Sequence, residues 1–230
     1  MLKNKLSTIG HLVLIGLVIS GSSFLVQAEE AGAEVSDKVK TDYKQHCAAC
    51  HGVERLGIMG PALLPDNLKR LRQKKAAVVI AEGRAATQMP AFKNVLDENQ
   101  RKALVDYIFT QPTVTPTWQE KDILASQVVT HKQGHLPNKP VFKADLMNLF
   151  LVVEIGDHHV TVLNGDTFEP IHRFKTRFAL HGGPKYSPDG RYVYFASRDG
   201  WITKYDIYNL KVVAEVRAGI NTRNLAISSD

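Results

Sequence analysis

The sequence lacks the residues on which several common classes of small protein depend. Its 230 residues include only two cysteines, too few for a disulfide framework or for a four-thiolate zinc or iron–sulfur site. A mean hydropathy of −0.16 excludes a multi-span membrane protein. Hydrophobic residues at 44% and charged residues at 23% exclude wholesale disorder and collagen-like or coiled-coil chains. What remains is a chain of one or two globular domains.

The amino terminus indicates export. Lys3 and Lys5 precede an apolar stretch over 9–19, and Val26-Gln27-Ala28 is typical of a signal-peptide cleavage site. An uncleaved anchor is the alternative, but the apolar stretch is shorter than the roughly 20 residues that span a bilayer. We therefore expect a signal peptide over 1–28 and a periplasmic protein. Loss of the two lysines lowers the formal charge from +6 to +4, and without an aromatic-interleaved basic patch no nucleic acid partner is expected.

The rest of the chain divides by composition into two domains and a linker. Residues 29–111 contain short amphipathic helical patterns, whereas residues 148–230 alternate apolar and polar side chains between Gly-Asp and Asp-Gly turns. Proline-containing stretches at 112–116 and 135–140 lie between them. We predict a first domain over 29–111, an extended linker over 112–147 and a second domain from 148.

The first domain contains a C-x-x-C-H motif, in which Cys47 and Cys50 precede His51. This spacing is typical of covalent attachment of a c-type haem, with the imidazole as an iron ligand. A thioredoxin-like cysteine pair would require a βαβ setting, but a helical pattern with Ser36 as N-cap precedes the motif. A structural zinc site would require a second cysteine pair. We therefore expect one haem c.

A methionine is the best candidate for the second axial ligand. Met89 lies 38 residues after His51 and is followed by Pro90, which stiffens its loop. Thioether ligation opposite histidine raises the reduction potential and suits electron transfer. Met59 is the competitor, but the turn that must hold His51 occupies the same stretch. Met89 as a plain core residue is the other interpretation.

Residues 36–111 resemble the small monohaem cytochromes c. In that family a proline carbonyl orients the iron-bound imidazole, and the turn at Gly60-Pro61 matches it. Asp97 and Gln100 predict a capping box that begins a terminal helix over 98–111. The resemblance implies an all-α domain in which this helix packs across the helix carrying the motif.

A basic segment has two interpretations. It comprises Lys69, Arg70, Arg72, Lys74 and Lys75. It is either a solvated helix face or a docking patch for an acidic periplasmic redox partner.

The second domain contains a repeat. Residues 187–191, with the sequence SPDGR, begin a block of alternating segments over 192–196, 201–205 and 212–216, and a similar beginning recurs at 228–230. The spacing of 41 residues between Asp189 and Asp230 falls within the roughly 40–45 residues of a four-stranded propeller blade. An earlier copy covers 148–174. Because propellers close with about 4–8 blades, we expect a truncated propeller and an amino-terminal fragment of a longer protein.

A cytochrome c domain before a propeller resembles the cytochrome cd1 family, whose eight-bladed propeller holds haem d1. The resemblance rests on residues 178–192 (FALHGGPKYSPDGRY), 197–200 (SRDG) and 218–223 (AGINTR). It implies that His181 is the axial ligand of haem d1 iron, and that Arg198 and Arg223 lie near the haem carboxylates. Without the resemblance, His181 is an ordinary loop histidine and the two arginines are structural.

One departure bears on the choice of activity within this family. The sequence of residues 181–201 resembles the haem d1 biosynthesis members of the family more than it resembles nitrite reductase. Where nitrite reductases tend to present an arginine, this chain has Glu154 and Ile155.

The expected activity is therefore dihydro-haem d1 dehydrogenation, with haem c accepting the electrons. The alternatives are an NO-forming cytochrome cd1 nitrite reductase and an electron carrier with a non-catalytic docking propeller. The full-length protein is expected to be an oxidoreductase whose catalytic residues lie in later blades. A homodimer is one of the oligomeric states left open for it. The present chain alone is expected to retain electron transfer at most.

Overall fold

A computed structural model describes residues 35–228. The predicted signal peptide lies outside the described residues, as do two of the three residues of the predicted blade beginning at 228–230. Within 35–228, no helix has both the length and the apolar character needed to cross a membrane.

Helices form the first part of the described chain. Ser36 caps the first helix by accepting a hydrogen bond from the Val39 backbone, as predicted, and Asp97 and Gln100 form the predicted reciprocal capping box. The terminal helix was predicted to end at Gln111 but ends at Phe109. Gln111 precedes Pro112, and a residue before proline disfavours the helical conformation. The helices are α1 (Asp37–His46), α2 (Ala48–His51), α3 (Pro65–Leu68), α4 (Gln73–Glu82) and α5 (Glu98–Phe109).

The helical core lies between α1 and α5. Tyr43 is buried; its hydroxyl donates to the Gly52 carbonyl at 2.8 Å, and its ring meets Tyr107 edge to face at 5.3 Å between centroids. Leu104 and Ile108 of α5 are buried in the same cluster. The packing of the terminal helix against the helix that leads into the C-x-x-C-H motif is as the resemblance implied.

The segment predicted as a linker contains regular structure. It carries α6 (Glu120–Ala125), β1 (Val128–Val129) and a single 3-10 turn (Leu146–Asn148). Strand β1 pairs antiparallel with a strand near the end of the described chain, with Val128 opposite Glu215. Thr130 strengthens this pairing, because its backbone N–H donates to Val213 at 3.0 Å and its hydroxyl donates to Val212 at 2.7 Å. Part of 112–147 therefore belongs to the second domain's sheet.

Strands make up most of the remainder, and all but the two-residue β5 lie in the segments predicted from the alternation. They are β2 (Leu149–Glu154), β3 (His159–Asn164), β4 (Pro170–Lys175), β5 (Lys185–Tyr186), β6 (Tyr192–Ala196), β7 (Trp201–Asp206) and β8 (Lys211–Arg217). One sheet has the order β2-β3-β4 and the other β1-β8-β7-β6-β5. All neighbours are antiparallel, as expected of hairpin-connected strands.

The two sheets share one apolar core. Val160 and Val162 from β3 are buried with Val193 from β6, and the Phe174 and Tyr205 rings stack at 4.0 Å between centroids. The turn between β6 and β7 requires glycine, because Gly200 has φ +92 and a Cβ there would lie 1.7 Å from the Gly219 carbonyl oxygen. This turn carries Arg198.

Candidate haem sites

The first site is built at the junction of α1 and α2. Cys47 is the C-cap of α1, Cys50 lies one turn later in α2, and both thiols are half-buried. His51 ends α2 and is buried. Its Nδ1 lies 2.8 Å from the Pro61 carbonyl oxygen, so the predicted contact with this proline is present. Because a carbonyl only accepts, Nδ1 carries the proton and Nε2 is left for a metal.

A tight loop holds the imidazole in place. The Gly57 N–H donates to the His51 carbonyl at 2.8 Å and the Gly60 N–H donates to the Cys50 carbonyl at 2.7 Å. A Cβ at Gly60 would lie 2.7 Å from His51 Cε1, so the backbone passes directly against the ring. Burial lowers the pKa of His51, and this outweighs the opposite effect of the bond to Pro61. The ring is therefore held in the neutral form that ligates iron.

The two candidate methionines differ in their surroundings. Met89 is half-buried and packs on the same helical core as Cys47, whereas Met59 is exposed. The Met89 backbone is fixed by its own loop, since its carbonyl accepts from the Arg84 N–H at 3.1 Å. Cys47 and Met89 pack on one apolar core, and Cys50 and the oriented His51 imidazole follow Cys47 within four residues. Two thiols, an imidazole and a thioether are a donor set that fits a c-type haem.

The second site lies on the β-sheets. His181 borders a cavity of about 210 Å³ whose other walls include Val153, Ile155, Leu180, Pro184 and Phe195. The His181 backbone N–H donates to the Ala196 carbonyl at 2.8 Å, and its Nδ1 lies 2.6 Å from the Arg223 carbonyl. As in His51, the carbonyl places the proton on Nδ1, so Nε2 is free to bind a metal.

Arginines without acidic partners adjoin this site. The Arg198 Nε atom is buried and has no hydrogen-bond partner within the described part of the chain. Burial lowers the pKa of Arg198, and the positive charges of Arg223 and Arg84 lower it further. Such a cluster favours an anion, because a carboxylate would pair with the guanidinium groups and relieve their repulsion. The second site therefore fits an apolar macrocycle that carries anionic side chains.

Two residues near this site, Arg84 and Ile155, were given no binding role from the sequence. Arg84 comes from the loop that carries Met89, and no local pattern links it to Arg198. At the departure from nitrite reductases, Glu154 turns away and binds Arg173, at 2.7 Å between Oε2 and Nη2, whereas Ile155 lines the cavity. Ile155 lies in the turn that follows β2, beyond the strand alternation, so no local pattern in the sequence places it in the cavity wall.

Comparison with known proteins identifies both parts of the chain. The Cytochrome D1 heme domain model matches residues 144–230, and the model for subunit III of cbb3-type cytochrome C oxidase matches residues 35–108. Dihydro-heme d1 dehydrogenase of Pseudomonas aeruginosa is 58% identical over 216 residues, which cover 94% of this chain. The chain belongs to the cytochrome cd1 family. The cofactors of this family are a c-type haem and a d1-type haem.

Within the cytochrome cd1 family, similarity is uneven. Nitrite reductase of Stutzerimonas stutzeri is 29% identical over 97% of this chain. A solved structure of dihydro-heme d1 dehydrogenase NirN in complex with DHE has 61% identity and a TM-score of 0.74, and it covers 83% of this chain. The arrangement of sheets agrees with part of a propeller. The chain spans 42% and 43% of the lengths of the two curated relatives and 41% of the solved one.

Proposed function

We propose that this chain forms the electron-accepting part of a periplasmic dihydro-haem d1 dehydrogenase of haem d1 biosynthesis. The observation that carries the proposal is the His181 cavity, where an oriented imidazole and unpaired arginines adjoin apolar walls. Greater similarity to a dihydro-heme d1 dehydrogenase than to a nitrite reductase supports it. The apolar Ile155 in the cavity wall also favours dehydrogenation over nitrite reduction, since a small anion gains nothing from an apolar wall.

The first domain, 29–111, is proposed to be an all-α cytochrome c. Cys47 and Cys50 would hold the haem covalently, and His51 Nε2 and Met89 Sδ would ligate its iron. The contact between His51 and Pro61 fixes the orientation of the ring, so that Nε2 would be available to hold the iron. Export by cleavage after Ala28 would deliver the chain to the periplasm.

The second domain is proposed to be the beginning of an eight-bladed propeller from residue 148. His181 Nε2 would ligate the iron of a d1-type haem, and Arg198 and Arg223 would pair with its carboxylates. Arg223 has two roles here, since its carbonyl also orients the His181 ring. The apolar side chains of Val153, Ile155 and Phe195 exclude water from the face of the macrocycle, which strengthens every polar contact at its edge.

When bound, the two groups would supply the redox chemistry. Forming a side-chain double bond would release two electrons and two protons; the c-type haem would take the electrons one at a time and pass them to a periplasmic redox partner, and the protons would leave to solvent. The protein supplies position. Arg198 and Arg223 would hold the carboxylate edge of the d1-type haem, and His181 would hold its iron. The loop that carries Met89 lies close to the second domain, since a Cβ at Gly156 would be 3.2 Å from the Ala86 carbonyl oxygen. A docking propeller that binds no macrocycle offers no partner for the buried Arg198 Nε, which has none among residues 35–228.

Replacement of His181 tests this function. In the full-length protein, His181→Ala should lose most of its affinity for d1-type haem, measured by spectroscopic titration, while the c-type haem spectrum stays unchanged. His135→Ala is the matched control, since His135 is also exposed but lies in the 112–147 segment. Unchanged binding by His181→Ala would overturn the ligand assignment. Failure of the unmutated protein to bind d1-type haem at all would overturn the function.

A further inference from the structure

A single arginine joins the loop behind His51 to the larger sheet. Arg217, the last residue of β8, donates from Nη2 to the Leu56 carbonyl at 2.9 Å. Its Nε donates to the Gly219 carbonyl at 3.2 Å, and its guanidinium lies 4.6 Å from the centre of the Trp118 ring. This one side chain therefore contacts the first domain, the 112–147 segment and the sheet.

The Leu56 carbonyl is itself tightly placed. Its neighbour Gly57 donates to the His51 carbonyl, so Leu56 belongs to the loop that closes on the imidazole. Its other neighbour, Arg55, is buried and donates from Nη1 to the carbonyls of Tyr107 at 2.6 Å and Thr110 at 3.1 Å. The His51 loop is thus held on one side by Arg55, which ties it to α5, and on the other by Arg217.

The backbone of Arg217 is equally constrained. Its N–H donates to Ser126 Oγ at 2.9 Å, and its carbonyl accepts from Trp118 Nε1 at 2.8 Å. The next residue, Ala218, donates to the Gly200 carbonyl at 2.8 Å, which belongs to the turn that carries Arg198. A short path of hydrogen bonds therefore runs from the His51 loop through residues 217 and 218 to the arginine turn of the second site.

The choice of arginine is informative. The side chain is half-buried, and burial lowers its pKa although the charge of Asp199 opposes this. A charge in such a place is costly unless its donors are satisfied. Only a planar fork can donate in two directions and also stack on an indole, which lysine cannot do.

The geometry points to Arg217 as the positioning residue that sets the separation between the c-type haem and the d1-type haem. This inference rests on the proposed function. Because Arg217 contacts neither proposed ligand set, its loss should leave each haem in place and disturb only their relation.

Distance is the first test. Lys211, exposed at the start of β8, is replaced by cysteine in the full-length haem c protein and labelled with a nitroxide, Cys47 and Cys50 being held in thioether bonds. Pulsed EPR then measures the distance from the nitroxide to the haem c iron. Arg217→Met should broaden this distance distribution. Arg173→Met is the control, because Arg173 is exposed and its ion pairs with Glu154 and Asp157 stay within its own sheet.

Electron transfer is the second test. With d1-type haem bound, Arg217→Met should slow electron transfer between the haems several-fold, because the rate of electron tunnelling falls steeply as the donor–acceptor distance grows. The haem c spectrum and the affinity for d1-type haem should not change. If Arg217→Met does not fold, Arg217→Gln replaces it, since the shorter amide cannot reach Leu56. A distance distribution identical to that of the unmutated protein overturns the inference. If no d1-type haem binds to the unmutated protein, the function fails while the distance test still decides the role of Arg217.

Discussion

Gly60 matters at the scale of a single residue because the His51 ring lies against its backbone. A side chain there would collide with the ring, since a Cβ at this position would be 2.7 Å from His51 Cε1 and 2.8 Å from His51 Nδ1. Gly60→Ala should therefore displace the imidazole, weaken its bond to Pro61 and destabilise the haem-loaded protein by about 1–3 kcal/mol. The fraction of protein with a six-coordinate haem c spectrum and the urea midpoint measure this.

Gly219→Ala is the control for that substitution, because nothing lies within 4 Å of a Cβ at Gly219. Its spectrum and midpoint should match those of the unmutated protein. An equal effect of both substitutions would show that the ring contact at Gly60 is unimportant.

Local pattern determines what the sequence reveals about individual residues. Cys47, Cys50 and His51 form one short motif, and the resemblance to cytochromes c adds Pro61, whose expected contact with His51 is present. The haem roles of the motif residues stay predictions. The roles of Arg84 and Arg217 were not predicted, because each depends on a partner far away in the chain, and arginines at turns and strand ends are common. The ligand roles of Met89, His181, Arg198 and Arg223 remain predictions.

Two elements, α1 and α5, depend on a buried carboxylate between them. Asp42 on α1 accepts from Lys38 Nζ and Gln100 Nε2, both at 3.1 Å, so the residue that completes the α5 capping box also binds α1. Burial acts to raise the pKa of Asp42, but the Lys38 and Gln100 bonds outweigh it and hold the pKa below its usual value. A carboxyl of this kind stabilises the fold above its unfolded pKa, and the stabilisation is lost as the pH falls through the folded one.

Asp42→Asn should lower the free energy of unfolding by about 1 kcal/mol at pH 7, and the difference should narrow as the pH falls through the lowered pKa of the folded carboxyl. Urea titrations of the haem-loaded protein, followed at the haem c absorption, measure both values. Asp106→Asn on α5 is the control. Its ion pair with Lys102 is exposed, so a change within about 0.5 kcal/mol is expected. A deficit for Asp42→Asn that persists undiminished at low pH would contradict the account.

The periodicity of apolar residues predicted the type of most helices and strands, but it did not predict β1. The helices around the motif and the strands over 149–154, 159–164, 192–196 and 201–206 lie where the patterns predicted them. A strand of two residues has no measurable alternation, and prolines on both sides indicated a linker. Only the free edge of β8 makes Val128–Val129 a strand.

At the scale of the whole molecule, the basic segment 69–75 forms an exposed cationic surface. Lys74 and Lys75 lie in the first turn of α4 and are exposed together with Lys69, Arg70 and Arg72, as both interpretations of this segment require. Such a surface should attract anionic reactants at a distance, and salt should screen the attraction over a Debye length of about 10 Å at 0.1 M.

Oxidation of the reduced haem c by ferricyanide provides the measurement. The second-order rate constant should fall as ionic strength rises, and the double variant Lys74→Glu, Lys75→Glu should be slower with a flatter dependence. Lys132→Glu, Lys143→Glu carries the same charge change on exposed residues of the 112–147 segment and should change the rate less. Equal effects of the two double variants would indicate that only net charge matters and would contradict a docking patch.

The pairing of β1 with β8 also dictates an order of folding. Thr130 and the Val212 carbonyl that it binds are 82 residues apart, so β1 cannot pair until nearly all the intervening strands have been synthesised. The helices around the C-x-x-C-H motif need no such wait, because their contacts close within the first part of the chain. Haem attachment can therefore precede completion of the sheet, and the slow, high-contact-order step is left to the strands.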